Sequence, residues 1–201
     1  MIARLILSKV LEPVVRAVLF LAGSIAILAI SWRSLRHTRV HGFYRFFAFE
    51  LILSLILWNA PFWFHDPFSA RQWAAWSLGI VSIGLAIEGF RLLRVIGRPR
   101  PTAEAGAKEL GTNHPIENTT TLVTVGAYRL IRHPLYASLL ALAWCAWLKN
   151  PLGAGSIALT VGASGFLLAT AIAEEKENLQ RFGAAYAEYM KSTRRFIPYV
   201  F

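Results

Sequence analysis

The chain has 201 residues, of which 56% are hydrophobic, and it carries a formal net charge of +10 from 21 Lys and Arg against 11 Asp and Glu. Soluble domains are about 45–50% apolar, and the apolar residues here form runs of about 20, enough to cross a bilayer. This composition excludes an ordinary soluble domain and predicts an integral membrane protein. Because the cations flank apolar runs, we expect them to set topology and to contact membrane lipids, and we expect no nucleic-acid partner.

Three spans are predicted within residues 1–96. Met1–Val10, which holds two cations among apolar residues, is typical of an interfacial amphipathic segment. The spans follow at about Val14–Ser31, Phe46–Phe64 and Trp73–Leu93. A basic loop joins the first two spans, whereas the link between the second and third is short and nearly uncharged.

The next elements are a polar loop and a short fourth span. Residues 97–120 are the only long polar stretch in the sequence, rich in Pro, Gly, Thr and Asn, and they predict a loop. The fourth span is predicted from Pro134 to Leu148; since proline is favoured at the first helical position, we expect His133 at the N-cap. About 15 residues rise only about 22 Å, so this helix should begin slightly below the headgroups.

The fifth span is predicted at Pro151–Ala173, with Pro151 at its first helical position. The turn before it is tight, so we expect it to pack mainly on the fourth span. Small residues at Ala154, Ala158 and Gly162 recur every four positions, which predicts a face that lets another helix approach closely. From Glu174 the chain is charged but keeps an apolar stripe, which predicts a C-terminal amphipathic helix. The stripe consists of Leu179, Phe182, Tyr186 and Met190.

The predicted fold is therefore one all-α, polytopic membrane domain with about five transmembrane helices and a C-terminal amphipathic helix. Its parts are residues 1–96, the loop 97–120, and residues 121–201. The loop after the first span, the exit of the third span and the C-terminal region are basic, so the positive-inside rule places the C-terminus in the cytoplasm. Five spans then place the N-terminus outside. Cations within Met1–Arg16 argue for the opposite side, and an interfacial helix there would change the span count by one.

The start of the fourth span carries a dense group of cations. The first N–H groups of a helix lack backbone partners, and the helix dipole adds positive charge at that end. Arg129, Arg132 and His133 reinforce that field, so the region is suited to an anionic group. The alternative is that Arg132 and His133 only mark the cytoplasmic end of a membrane helix. The stretch alone leaves both interpretations open.

Two acidic residues fall within or beside the first three spans. Glu88 lies inside an apolar span, where an ionisable group usually faces a cavity or a partner. The alternative for Glu88 is an ion pair with Arg91 three residues later. Glu50 lies near the membrane surface, and we expect it to pair with Arg45 or Arg33.

A pair of acidic residues closes the fifth span. Glu174 and Glu175 lie on the side of the membrane where the fourth span begins, so antiparallel packing brings them near Arg132 and His133. Converging cations and carboxylates can bind a zwitterionic ligand, or they can form a plain salt bridge. Both alternatives remain open at this point.

Two motifs in the C-terminal part of the chain carry a resemblance to a known family. Thr121–Tyr128, followed by Arg132-His133-Pro134-Leu135-Tyr136, resembles the isoprenylcysteine carboxyl methyltransferases, and the likeness extends to membrane phospholipid methyltransferases. The same is true of a later pattern: Glu174-Glu175, Phe182-Gly183, Tyr186, Tyr189 and Ile197-Pro198. The first three predicted spans resemble the family only in being apolar membrane spans. Ser138 stands where many members have glycine, and Asn178 where a leucine is expected.

The resemblance implies S-adenosylmethionine, with S-adenosylhomocysteine as product, held at the cytoplasmic membrane surface between the hairpin of the last two spans and the C-terminal helix. It implies a lipophilic acceptor, such as an isoprenylcysteine-like carboxylate, a phospholipid amine or a thiol, contacted by residues 1–96. No metal is expected. The cofactor-binding residues implied are Leu122, Val125, Gly126, Tyr128, His133, Pro134, Tyr136, Glu174 and Glu175.

We expect three residues to act in catalysis: Arg132, Glu175 and Glu88. Arg132, or Arg129 in its place, would orient a carboxylate or thiolate acceptor. An amine acceptor needs a base, for which Glu88 or Glu175 is the nearest candidate. The sequence lacks a glycine-rich dinucleotide fingerprint after a strand, which excludes the soluble methyltransferase fold.

Two other functions remain as alternatives. Membrane sterol reductases, which use a nicotinamide cofactor, are similar in this region and have an ending much like Ile197-Pro198-Tyr199. The acidic pair and the short chain favour the methyltransferase over NADPH-dependent reduction. The other alternative is a non-catalytic membrane protein of the same fold.

Overall fold

The computed structural model describes residues 2–37, 40–97, 121–150 and 153–200, with side chains from residue 12 onward. The predicted loop beyond Gly97 and the position predicted for Pro151 lie outside these residues. Within them the chain is helical and contains no strand, so the predicted all-α class is confirmed. The described helices are α1 Ile2–Leu35, α2 His41–Asn59, α3 Ala70–Val95, α4 Pro134–Lys149, α5 Ala154–Phe182 and α6 Ala184–Ser192.

Among the described residues, three helical segments are long and apolar enough to cross a membrane: Glu12–Leu35, His41–Phe62 and Ala154–Phe182. This indicates a membrane protein, although the sequence predicted about five spans. The helix α4 is apolar but shorter, and α3 is not one of the three segments. The helix α3 nevertheless exposes a row of large apolar side chains, including Trp73, Ile80, Ile83 and Ile87.

The helices pack in pairs around a small-residue core. The most extensive contacts join α3 to α4 and α2 to α5, and α1 packs on α2 at the periphery. Residues of α2, α4 and α5 supply the fully buried centre: Ala48, Leu55, Ala143, Ala146, Ala163, Leu167 and Ala171. Alanine at so many core positions allows the helices to approach closely.

The main partner of α5 is α2 and not α4, which corrects the expectation from the tight turn. A Cβ atom at Gly162 would lie 3.2 Å from Cδ1 of Leu51 on α2, so this glycine does permit a close approach. Ala154 and Ala158 of the predicted face are exposed. A short turn makes two helices neighbours, but the contact area depends on which face of the helix is buried. The buried face of α5 contains Ser156, Thr160, Ala163 and Leu167.

The predicted C-terminal amphipathic helix is divided between two elements. The charged residues from Glu174 continue α5 as far as Phe182. Gly183 then ends α5 with φ +56°, a backbone conformation that favours glycine. After it comes α6, which buries two tyrosines on one face, Tyr186 and Tyr189.

The far end of α4, away from His133, is fixed by a buried cation. Lys149 is 1% exposed; its ammonium donates to Oε1 of Gln72 at 2.7 Å and lies 3.4 Å from the ring centre of Trp76. Arg71 donates to the last backbone carbonyls of α4. These contacts join α3 to the end of α4 and hold the two helices in register.

Candidate functional site

The helix α4 begins at Pro134 with His133 at the N-cap, as predicted. The His133 ring is buried and stacks on Tyr136, with ring centres 5.5 Å apart and an angle of 18° between the planes. Its Nε2 atom lies 3.5 Å from Oε1 of Glu175, too far for a good hydrogen bond, and no described residue satisfies it. The Nε2 atom therefore faces the Glu175 carboxylate.

The residues before α4 are tied to the segment after α6. Ile131 and Arg194 form an isolated parallel β-bridge. The backbone N–H groups of Arg132 and His133 donate to the carbonyls of Arg194 and Arg195 at 2.6 and 3.1 Å. The chain after α6 therefore closes one side of the site and fixes the backbone of the arginine–histidine motif.

Glu175 occupies the centre of a buried ionic network. It is 4% exposed. Arg132 reaches Oε1 with Nε and Nη2, both at 2.9 Å, and Arg195 approaches both carboxylate oxygens at 3.0 to 3.2 Å. Arg132 also donates to the backbone carbonyls of Met190 and Thr193. The salt-bridge interpretation therefore applies to Glu175 and Arg132.

Glu174 has a different environment from its neighbour. Its side chain is 30% exposed, and Oε2 lies 3.8 Å from Nδ1 of His133. The predicted convergence of the acidic pair on Arg132 and His133 is thus confirmed, but the two carboxylates face different partners. Glu174 keeps oxygen atoms available for a ligand.

A cavity of about 440 Å³ opens beside these residues. This volume falls within the range of roughly 300–1,000 Å³ typical of small-molecule sites. One end is polar and is lined by Tyr128, Arg132, His133, Glu174, Asn178, Tyr186 and Tyr189. The other end is mostly apolar and lies between α1, α2, α3 and α4; its lining includes Ile30, Phe49, Ala86, Phe90, Leu139 and Leu142.

Three buried phenols frame the polar end. Burial raises the pKa of Tyr128, Tyr186 and Tyr189 above the ordinary value for tyrosine, so all three remain protonated donors at neutral pH. The hydroxyl of Tyr189 donates to the backbone carbonyl of Tyr128 at 2.5 Å. This bond fixes the cavity wall formed by the turn before α4.

The structure brings together part of the predicted set of site residues. The predicted residues that line the cavity are Leu122, Tyr128, Arg132, His133, Tyr136 and Glu174. Those that do not are Val125, Gly126, Pro134, Glu175 and Glu88. Sequence reasoning did not assign Asn178 or Arg45 to the site, nor Arg195 to the network. The charge of both arginines was visible in the sequence, but their positions depend on tertiary packing.

Glu88 supports the turn before α4 from the side of α3. Its Oε1 accepts the backbone N–H of Ala127 at 3.0 Å and does not pair with Arg91, although all three residues are described. Gly126 has φ +59°, and a Cβ atom there would lie 2.5 Å from that same oxygen. Glu88, expected as a catalytic base, is therefore placed as an anchor for the turn.

This packing predicts that Gly126→Ala destabilises the protein by about 1–3 kcal/mol, the usual cost of a non-glycine residue in an unfavourable backbone conformation. The added methyl group would also displace Glu88 or Leu92. Thermal unfolding in detergent measures the effect. Gly84→Ala on α3 is the matched control, since nothing lies within 4 Å of its Cβ position. Equal melting temperatures for both variants would contradict the prediction.

Comparison of the chain with protein-family models, with curated proteins and with solved structures finds no match. The structure itself defines the class: a helical protein with helices of membrane-spanning length and an amphipathic cavity where α4 begins. The chemistry of that cavity is the basis for a functional assignment.

Proposed function

We propose that the chain is an integral membrane methyltransferase that moves the methyl group of S-adenosylmethionine to a lipophilic acceptor, similar to the isoprenylcysteine carboxyl methyltransferases and phospholipid methyltransferases. The observation that carries the proposal is the cavity, which joins a polar end lined by His133 and the carboxylate of Glu174 to an apolar end between the helices. A polar nucleotide and a lipidic acceptor need such an arrangement to meet.

The residues at the polar end fit the cofactor. S-adenosylmethionine has a zwitterionic amino-acid part, a sulfonium and a nucleoside. The half-buried carboxylate of Glu174 suits the ammonium group or the ribose hydroxyls, and the ring of His133 lines the same end of the cavity. Aromatic faces such as that of Tyr136 attract cations, which includes a sulfonium. Leu122 and Val123 provide an apolar wall for the adenine.

The reaction needs positioning more than proton transfer. When bound, S-adenosylmethionine supplies an activated methyl group, whose bond to sulfur breaks as the acceptor forms its bond to carbon. The protein must align the acceptor atom at roughly 3–3.5 Å and exclude water. We assign Glu174 and His133 as cofactor ligands. Arg132, Glu175 and Glu88 act as positioning residues, because their polar atoms are engaged by the protein.

The apolar end of the cavity indicates how the acceptor enters. Phe49, Phe90 and Leu139 line it from three different helices. An acceptor with a lipid chain can therefore reach the cofactor from within the bilayer. The predicted topology, with about five spans and with the cofactor site and C-terminus in the cytoplasm, belongs to the same proposal. The exposed cations at the site end of α1 and α3 support it, among them Arg33, Arg36 and Arg94.

The charge of the polar end argues against NADPH. That cofactor carries several negative charges, whereas here the two guanidinium groups of Arg132 and Arg195 are balanced by the two carboxylates of Glu175 and Glu174, so these four groups leave no net positive charge for phosphates. S-adenosylmethionine has a zwitterionic amino-acid part and a positively charged sulfur, so it fits the charges at this end of the cavity better than NADPH does.

Calorimetric titration of the purified protein with S-adenosylhomocysteine and with NADPH tests the proposal. We expect saturable binding of S-adenosylhomocysteine and no binding of NADPH. Heat from NADPH alone would favour the reductase. No binding of either would favour a non-catalytic membrane protein. Transfer of label from methyl-labelled S-adenosylmethionine to a membrane lipid extract then tests catalysis.

A further inference from the structure

We infer that the outward face of α3, near the C-terminal end of that helix, carries a second binding site: a groove for one anionic phospholipid of the cytoplasmic leaflet. The described residues that line this α3 groove are Ala86, Ile87, Phe90, Arg91, Arg94 and Val95. The groove is separate from the polar end of the cavity beside His133. Its occupancy does not depend on the proposed methyltransferase activity.

Two arginines supply the charge of the α3 groove. Arg91 and Arg94 are exposed and lie three positions apart, so they are neighbours on one face of the helix. No described residue forms an ion pair or a hydrogen bond with either guanidinium group. Glu88, one turn before Arg91, directs its Oε1 atom to the backbone N–H of Ala127 instead. Both guanidinium groups therefore keep their N–H donors available for a phosphate.

Large apolar side chains lie beside these cations. Ile87, Phe90 and Val95 line the same groove, and all three are exposed. The volume of the groove, about 760 Å³, falls within the roughly 300–1,000 Å³ typical of ligand sites. The groove can therefore contact the first part of an acyl chain while the arginines bind the headgroup, which is the division of polarity that a phospholipid presents.

The position of the groove along α3 matches the level of the lipid headgroups. Trp73, near the start of α3, is exposed, and tryptophan is enriched at membrane interfaces. The helical rise from Trp73 to Arg91 is roughly 27 Å, close to the ~30 Å thickness of the hydrocarbon core. A bilayer with Trp73 at one interface therefore places Arg91 and Arg94 at the other, which the positive-inside rule assigns to the cytoplasm. Anionic lipids make the surface of that leaflet negative.

The α3 groove adjoins the cavity beside His133. Ala86 and Phe90 line both spaces, so the groove and the cavity meet at this stretch of α3. A lipid bound in the groove therefore contacts side chains that also form the cavity wall. This gives the bound lipid a direct contact with the candidate functional site, which a lipid on another helix face would lack.

The end of α1 offers a matched control for the two arginines. Arg33 and Arg36 are exposed and have the same spacing. Neither is among the described residues that line the α3 groove or the cavity, and the guanidinium carbon of Arg36 lies 5.5 Å from the ring centre of Trp32. General attraction of cations to anionic lipids acts on both pairs alike, whereas a specific site acts through the α3 pair alone.

Native mass spectrometry of the full chain in detergent, titrated with dioleoylphosphatidylglycerol or dioleoylphosphatidylcholine, measures the affinity for the first lipid bound. We expect phosphatidylglycerol to bind at least about tenfold more tightly than phosphatidylcholine. The double variant Arg91→Gln, Arg94→Gln should lose most of this preference. The double variant Arg33→Gln, Arg36→Gln should keep it. Arg91→Lys, Arg94→Lys retains both charges and should also prefer the anionic lipid.

Three results would overturn the inference. One is equal affinity for the two lipids in the unmodified protein, and another is an equal loss of preference in the two double glutamine variants, which would show general attraction only. The third is a dimer that disappears in Arg91→Gln, Arg94→Gln without a change in lipid binding, which would assign the groove to a second copy of the chain. The replaced side chains are all exposed, so the variants should fold. If the α3 glutamine variant does not fold, the preference of the unmodified protein and of the lysine variant decides.

Discussion

Replacement of Glu175 by alanine is expected to lower the free energy of unfolding by about 3–5 kcal/mol, the usual cost of breaking a buried ion pair by removing one partner. The carboxylate lies between the guanidinium groups of Arg132 and Arg195 and satisfies donors of both. Without it, the guanidinium groups of Arg132 and Arg195 lose their shared carboxylate, and the side chain of Arg132 is only 8% exposed. Urea or thermal unfolding in detergent measures the loss.

The control for this variant is a carboxylate in an exposed ion pair. Glu188 pairs with Lys191 on α6, and both side chains are about three-quarters exposed, at 75% and 74%. Glu188→Ala should therefore change the free energy of unfolding by only about 0–1 kcal/mol. If both alanine variants show the same loss in free energy of unfolding, Glu175 does not hold the network together.

Glu174→Gln is expected to weaken the binding of S-adenosylhomocysteine at least about tenfold, the effect of losing one charge-assisted hydrogen bond to the ligand. The amide has nearly the same shape as the carboxylate, and the side chain is 30% exposed, so the melting temperature should stay close to that of the unmodified protein. Calorimetry measures the affinity, and a thermal scan without ligand measures the stability.

Two comparisons make this result specific. Glu188→Gln removes the same charge from an exposed side chain that does not line the cavity, and it should leave the affinity unchanged. His133→Ala should also reduce the affinity, since it removes a ring that lines the cavity. Unaltered affinity in Glu174→Gln would show that this carboxylate is not a ligand. Together with Glu175→Ala, the variant separates a binding role from a structural role in two adjacent residues.

Local rules and simple geometry were enough to predict the start of α4 and the meeting of opposite charges. Proline at the first helical position fixes the N-cap at His133, whatever the rest of the chain does. An antiparallel hairpin places Glu174 and Glu175 at the depth of Arg132 because the helical rise per residue is constant. These features required no knowledge of side-chain packing.

The division of roles between the two glutamates could not be predicted in this way. Adjacent residues on a helix point about 100° apart, so the rotation of α5 decides which carboxylate is buried. That rotation depends on the packing of α5 against α2 and on Arg195, which approaches from the segment after α6. The same limit applies to Arg45, whose position at the cavity follows from the packing of α2.

The bridge between Ile131 and Arg194 has a consequence for biosynthesis. Arg194, which helps to close one side of the site, is translated after the six described helices, so this side of the cavity is completed last. The earlier helices must therefore begin to pack before this side of the site can hold any ligand. Only the interhelical contacts, such as those around Lys149, can stabilise the nascent bundle at that stage.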